Sequence, residues 1–181
     1  MRDTLTYRID AHDTVSAVGD GWDTFALAND APDTTAEHVV GRSIWDCIAG
    51  STTRQIYHAL FDRTRSGTVV RIGIRCDGPA VRRALELQLT PEPDGGITVT
   101  VEIRRVERRT AERLLDRTLP RGEDILAVCG WCKRVEAAEG RWIEVEDAML
   151  KLGLFERVTL PEITHGMCPE CFEQLSADLA V

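Results

Sequence analysis

Four of the six cysteines in this 181-residue sequence form two C-x-x-C pairs, and they are the residues best suited to chemistry. The first pair is Cys129 and Cys132, and the second pair is Cys168 and Cys171. Two intervening residues allow both sulfurs of a pair to reach one ion at about 2.3 Å, the usual Zn–S distance. Four thiolates leave no open coordination position for water or substrate. The spacing therefore predicts one structural Zn²⁺ site and no catalytic centre.

Other assignments of the same cysteines remain as alternatives. His165 lies too close to Cys168 to replace it without straining the loop, so we expect it to hydrogen-bond to a thiolate or a carbonyl group rather than to coordinate the metal. The C-G-W-C-K segment resembles a thioredoxin active site, but too few residues follow it for that fold. Paired knuckles also resemble rubredoxin, although Lys133 and Phe172 stand where glycine is usual there. In a redox switch, oxidation of the thiolates would release Zn²⁺.

Short helices and a small apolar core are predicted to hold the two pairs. Pro169 suits the first turn of a helix, which continues with Phe172, Leu175 and Leu179 at helical spacing. A second helix is predicted over about residues 144–152. The side chains expected around the ion are Trp131, Trp142, Leu154 and Phe155. A unit as small as residues 122–181 often needs a metal to fold.

The layout of this C-terminal module also resembles a treble-clef zinc finger. The resemblance covers about residues 125–172 and depends mostly on the T-H-G-x-C-P-x-C ending. More specifically, it is similar to a module that follows PAS or receiver domains in some bacterial signalling proteins. It implies a zinc-stabilised unit but does not imply which partner is bound.

The first hundred residues show strand and helix patterns in a fixed order. Two short strands are predicted over residues 6–10 and 14–18, and alternation of apolar and polar residues predicts an antiparallel meander over 69–76, 85–89 and 97–103. Helical spacing predicts a longer helix over 52–65. This order, with V-G-R-S-I-W-D before the helix and S-G after it, resembles a PAS domain over about residues 5–106.

The PAS resemblance implies an α+β fold, with a five-stranded antiparallel sheet, helices on one face and a pocket that can hold a small ligand. Flavin photochemistry is not expected, because Ile44 stands at the reactive cysteine of flavin-binding relatives and Cys47 comes too late. Haem ligation by His58 on the long helix remains an alternative. Trp22, Phe25 and Trp45 are candidates either for lining the pocket or for the core. Cys47 and Cys76 are expected to be small buried side chains.

The segment between the two units is predicted to be a helical connector over residues 107–121. It follows a division of the chain into a sensory domain (1–106) and a metal module (122–181). Arginines recur every four residues and would line one side of the helix: Arg105, Arg109, Arg113 and Arg117. The stripe suits either a signal relay that contacts an acidic surface or a passive linker.

Composition limits the function classes. The net charge of −8 disfavours general nucleic-acid binding, and no apolar run could span a bilayer. Without a secretory signal pattern, we expect a cytoplasmic protein. The sequence therefore predicts a bacterial signal-transduction regulator that is not an enzyme, forms a homodimer and binds a signalling protein. The alternatives are a zinc-thiolate redox switch and a haem- or small-ligand-binding sensor.

Overall fold

A computed structural model describes residues 4–179 of the chain. The elements of the first part are β1 (Thr4–Ile9), β2 (Val15–Val18), α1 (Trp22–Ala28), α2 (Ala36–Val39), α3 (Ser51–Arg65), β3 (Val70–Arg75), β4 (Val81–Pro91) and β5 (Ile97–Arg108). The elements of the second part are β6 (Arg121–Cys129), β7 (Val135–Glu136), β8 (Trp142–Ile143), α4 (Val145–Lys151), β9 (Leu160–Gly166) and α5 (Pro169–Leu179). Short 3₁₀ turns connect several of them.

The first five strands form one antiparallel sheet in the order β2-β1-β5-β4-β3. The alternation seen in the sequence is the reason, since every second residue of β4 turns its side chain to the same face. Leu85, Leu87 and Leu89 are buried there, and α3 packs across β3, β4 and β5 with Leu60 and Phe61 fully buried. The predicted α+β class and five-stranded antiparallel sheet are confirmed.

The second part forms a four-stranded sheet in the order β8-β7-β6-β9, in which β6 and β9 run parallel. Their pairing extends from Arg121 opposite Leu160 to Cys129 opposite Gly166. The predicted helix over 144–152 is present as α4, and its buried side chains belong to a separate apolar cluster with residues of β6, β7 and β9. Both metal-binding pairs therefore follow the ends of neighbouring strands.

The helical connector predicted over residues 107–121 is wrong. Strand β5 continues to Arg108 because β4 pairs with it as far as Val81, and a single 3₁₀ turn at Arg113–Leu115 follows. Tertiary pairing overrides the helix propensity of the arginine-rich sequence here. The arginines consequently do not form a stripe, since Arg105 extends into solvent while Arg109 is almost entirely buried.

The apolar core of the first part continues into the metal-binding segments. Its buried members include Cys129, Trp131, Cys168 and Leu175 together with residues of α3 and the first sheet. The predicted core around the ion is partly confirmed, because Trp131 and Trp142 belong to the same apolar cluster as the four cysteines. It is wrong for Leu154, which lies in the separate cluster, and for Phe155, which is 55% exposed. None of the helices within residues 4–179 is long and apolar enough to cross a membrane.

Candidate metal centre and internal cavity

The structure brings the four cysteines of the two pairs together. The sulfur atoms of Cys129, Cys132, Cys168 and Cys171 all lie within 4.8 Å of one another. Cys132 Sγ and Cys168 Sγ are 3.7 Å apart, close to the edge of about 3.8 Å expected of a tetrahedron with Zn–S bonds of about 2.3 Å. Cys129 and Cys168 are buried, whereas the other two are half-buried. The donor set and its spacing fit one tetrahedral ion.

Backbone hydrogen bonds fix the two cysteine pairs relative to each other. Strand β6 ends at Cys129, and the chain reverses through Lys133, whose φ of 62° is left-handed. The amide of Gly130 donates to Gly166 O at 2.8 Å, which ties the first pair to the end of β9. The amide of Cys168 donates to Cys129 Sγ at 3.4 Å, just before α5 begins. Backbone hydrogen bonds therefore hold the end of β6, the end of β9 and the start of α5 close together.

Electrostatics around the sulfurs favour a bound cation. A hydrogen bond from the Cys132 side chain, with further hydrogen bonds from backbone N–H groups, lowers the pKa of Cys129 to about 4. Burial raises the pKa of Cys171 to about 12. Four sulfurs in this space hold all their negative charges at neutral pH only when a cation compensates them. The site is therefore suited to a metal ion.

His165 does not belong to this cluster. It lies on β9 with an exposed side chain, and the group of converging ligand atoms consists of the four sulfurs. Its backbone has a different role, because a β-carbon at Gly50 would lie 2.5 Å from His165 O. The start of α3 thus approaches β9 so closely that only glycine fits.

A second candidate site is a cavity of about 450 Å³ between the first sheet, the helices before α3, and the connector. As predicted for a pocket, Trp22 and Phe25 of α1 line it, and so does Ile44. Cys47 and Cys76 also border it. Cys47 is exposed and Cys76 is half-buried, so the expectation that both are small buried side chains is wrong.

Two predicted pocket residues lie elsewhere. Trp45 donates through Nε1 to Asp13 Oδ2 at 2.9 Å and does not line the cavity. His58 is exposed and stacks on Trp45 with ring centroids 3.9 Å apart. Because the helix turns His58 away from the cavity, the haem interpretation loses the axial ligand on which it depended.

Tyr57 connects the cavity with the metal centre. It lines the cavity, and its ring centroid lies 5.5 Å from that of Trp131, which stands between the first two metal-binding cysteines. Burial raises the pKa of Tyr57 to about 12, so the phenol is neutral at physiological pH. The connector also completes the cavity wall with Leu115, Asp116, Arg117 and Thr118.

A partly buried ion-pair network joins the two parts of the chain beside this wall. Asp77, whose side chain is 0% exposed, pairs with Arg75 at 2.5 Å and with Arg109 at 3.5 Å. The same two arginines pair with acids near the start of α4: Arg75 with Glu144 at 2.8 Å, and Arg109 with Glu146 at 2.7 Å. The sequence indicated that connector arginines could meet the acidic module, but nothing in it identified Asp77.

Comparisons with known proteins found distant structural similarity. No protein-family model matches the sequence, and no curated protein matches it. A domain of an HTR-like protein from Haloarcula marismortui ATCC 43049 is 14% identical, with a TM-score of 0.40 over 56% of this chain and 98% of that chain. The photoactive yellow protein domain of the sensor histidine kinase Ppr from Rhodospirillum centenum is 17% identical, with a TM-score of 0.36 over 56% of this chain and 91% of that chain.

The PAS domain of nitrogen regulation protein NR(II) from Vibrio parahaemolyticus is 14% identical, with a TM-score of 0.31 over 56% of this chain and 88% of that chain. All three matches are too distant to support a functional argument. The order and antiparallel pairing of the five strands, described above, carry the fold assignment.

Proposed function

We propose that this chain is a signal-transduction regulator in which a small molecule in the cavity changes the surface that the metal module presents to a protein partner. One observation carries the proposal: residues 115–118 complete the cavity wall and lead directly into β6, which ends at the first metal-binding cysteine. A ligand in the cavity contacts the segment that holds the module. Occupancy and module position are therefore coupled through a continuous piece of chain.

In this proposal the ion is Zn²⁺, and its role is structural. Soft thiolate ligands in a tetrahedral arrangement suit zinc, and four of them leave no position for substrate. The ion would fasten the ends of β6 and β9 to the start of α5, in the manner of a treble-clef module. The proposal assigns no catalytic step to the chain. It includes a cytoplasmic location, a homodimer and a signalling protein as partner.

A cavity-filling variant tests the coupling. Val101→Phe places a larger side chain in the cavity from β5 and imitates occupancy, whereas Val106→Phe adds the same bulk on the same strand at a residue that is 55% exposed. Amide hydrogen exchange of residues 109–136 should change by at least roughly threefold in Val101→Phe and remain unchanged in Val106→Phe. If only β5 and α1 respond in a folded, metal-loaded Val101→Phe protein, the cavity does not act on the module.

A zinc-thiolate redox switch is the second candidate, because Cys132 and Cys171 are half-buried and therefore within reach of solvent oxidants. Two thiolates would give two electrons to hydrogen peroxide, form a disulfide and release the ion, while peroxide is reduced to water. Mild peroxide should then release Zn²⁺ to a chromogenic chelator and change the elution volume of the protein. Retention of the ion under these conditions would eliminate this candidate.

A further inference from the structure

The inward face of β4 carries one charged residue where the pattern calls for an apolar one. Leu85, Leu87 and Leu89 point into the core, and Arg83 occupies the next position on the same face. There the strand reaches the cavity, and Arg83 forms part of its wall. Its guanidinium carbon lies over the ring of Phe25, 5.7 Å from the ring centroid.

Arg83 differs from the other arginines around it in having no acidic partner. Arg75, Arg82 and Arg109 all take part in the ion-pair network with Asp77. Among the described residues, no carboxylate lies within ion-pair distance of Arg83, whose guanidinium group contacts the ring of Phe25. Three acids of the described chain, Asp30, Asp77 and Asp116, also border the cavity, but none of them pairs with Arg83.

A permanently charged guanidinium group in a mostly apolar cavity lacks the charge compensation that such groups normally find. The remaining wall is well suited to an apolar ligand, since it includes Trp22, Ile44, Val101 and Ile103. Binding pockets commonly combine such walls with a few polar groups that orient the ligand. A carboxylate matches the planar fork of arginine and would supply the missing charge.

We propose that the cavity binds an amphipathic carboxylate, whose apolar body fills the space between α1 and the sheet while its carboxylate pairs with Arg83. This inference rests on the proposed function, in which the cavity holds the signal molecule. A volume of about 450 Å³ would hold about 15 water molecules at liquid density, so the ligand has roughly 15 non-hydrogen atoms. Medium-chain alkyl acids and bicyclic aromatic acids have this size.

Calorimetric titration with decanoate and with decanol, which has the same chain but no charge, tests the proposal. Metal-loaded protein should bind decanoate at least about tenfold more tightly than decanol, because a charge-assisted hydrogen bond distinguishes the two. Arg83→Gln should lose this preference and still bind decanol. Arg105→Gln, which changes an arginine 74% exposed on β5, should behave as the unchanged protein. Val101→Phe should weaken the binding of both compounds.

Three outcomes would overturn the inference. If Arg83→Gln keeps the preference, or if Arg117→Gln removes it instead, the anchor is not Arg83. If decanoate and decanol bind equally well, the cavity takes ligands without regard to charge, and the proposed coupling to the module still stands. If neither compound binds at millimolar concentration, the ligand class is wrong, whereas the exchange experiment with Val101→Phe continues to test the proposed function on its own.

Discussion

The metal centre and the cavity differ in whether their polar groups have partners. In the metal centre the sulfurs converge within 4.8 Å, and the backbone already donates hydrogen bonds to Cys129. In the cavity no carboxylate from residues 4–179 lies within ion-pair distance of Arg83, and the surrounding wall is mostly apolar. A site whose groups satisfy one another around one ion favours permanent occupancy, whereas a site with one unpaired charge favours an exchangeable ligand. In the proposed function, the four cysteines therefore form the structural site and the cavity forms the sensory site.

Loss of one metal ligand should produce the largest effect. Cys129→Ser removes a buried thiolate, and Zn²⁺ binding contributes about 10–16 kcal/mol when it is coupled to folding. We expect the second part of the chain to unfold, with a loss of at least about 4 kcal/mol in the free energy of unfolding. Hydrogen exchange should show complete deprotection of β6, β9 and α5.

Cys47→Ser is the matched control, because Cys47 is exposed and lies outside the metal centre. It should retain one zinc per chain and normal protection of α5. If the second part of the chain remains folded in zinc-free Cys129→Ser, the ion is dispensable for folding and the proposed structural role of Zn²⁺ is wrong.

Disruption of the ion-pair network should have the next largest effect. Asp77→Asn removes a fully buried negative charge that faces Arg75 and Arg109, and loss of one partner from a buried pair costs about 3–5 kcal/mol. Chemical denaturation should show that the free energy of unfolding falls by about 3 kcal/mol, the lower end of this range, because asparagine still accepts a hydrogen bond. Asp124→Asn breaks only an exposed pair with Arg157 and should cost less than about 1 kcal/mol. Equal effects of the two variants would mean that the charge of Asp77 contributes no more to stability than an exposed ion pair does.

The local patterns of the sequence predicted most of the fold. Helical spacing located α3, observed at Ser51–Arg65, to within one residue, and strand alternation located the three meander strands, because both patterns depend only on neighbouring side chains. Each C-x-x-C pair is likewise a local pattern, and the structure brings the four sulfurs of the two pairs within 4.8 Å of one another. The helix predicted over residues 107–121 is wrong because Arg108 pairs with Val81, and local sequence patterns do not predict such a contact between distant residues.

Local sequence patterns also did not predict which aromatic side chains line the cavity. Trp22 and Phe25 were recognisable as aromatic candidates, but their separation from Trp45 depends on how the helices pack. Arg83 did carry a signal, since it interrupts the apolar face of β4 at the period of a strand. An inward charge on a strand is therefore a feature that sequence analysis can use to find a ligand site.

Disruption of the close packing between α3 and β9 should have an effect of intermediate size. Gly50 has a φ of 85°, and a β-carbon there would meet His165 O at 2.5 Å. Gly50→Ala should therefore lower the free energy of unfolding by about 2–3 kcal/mol, the sum of backbone strain and displacement of β9.

Gly67→Ala separates these two causes. Gly67 has a φ of 100° but no atom near the added carbon, so this variant should show only the backbone cost of about 1 kcal/mol. Equal losses in the two variants would show that the approach of β9 to α3 contributes nothing to stability.

The smallest expected effect has the opposite sign and tests the comparison most directly. Arg83→Leu continues the apolar face of β4 and removes a charge that has no acidic partner, so the ligand-free protein should become more stable by up to about 1 kcal/mol. Arg75→Leu removes an arginine that pairs with Asp77 and Glu144, and it should cost about 2 kcal/mol or more. Urea denaturation of the zinc-loaded variants measures both. A gain in stability for Arg83→Leu would support the proposal that Arg83 binds a ligand. Equal destabilisation by the two changes would instead make Arg83 a structural residue and remove the contrast between the cavity and the metal centre.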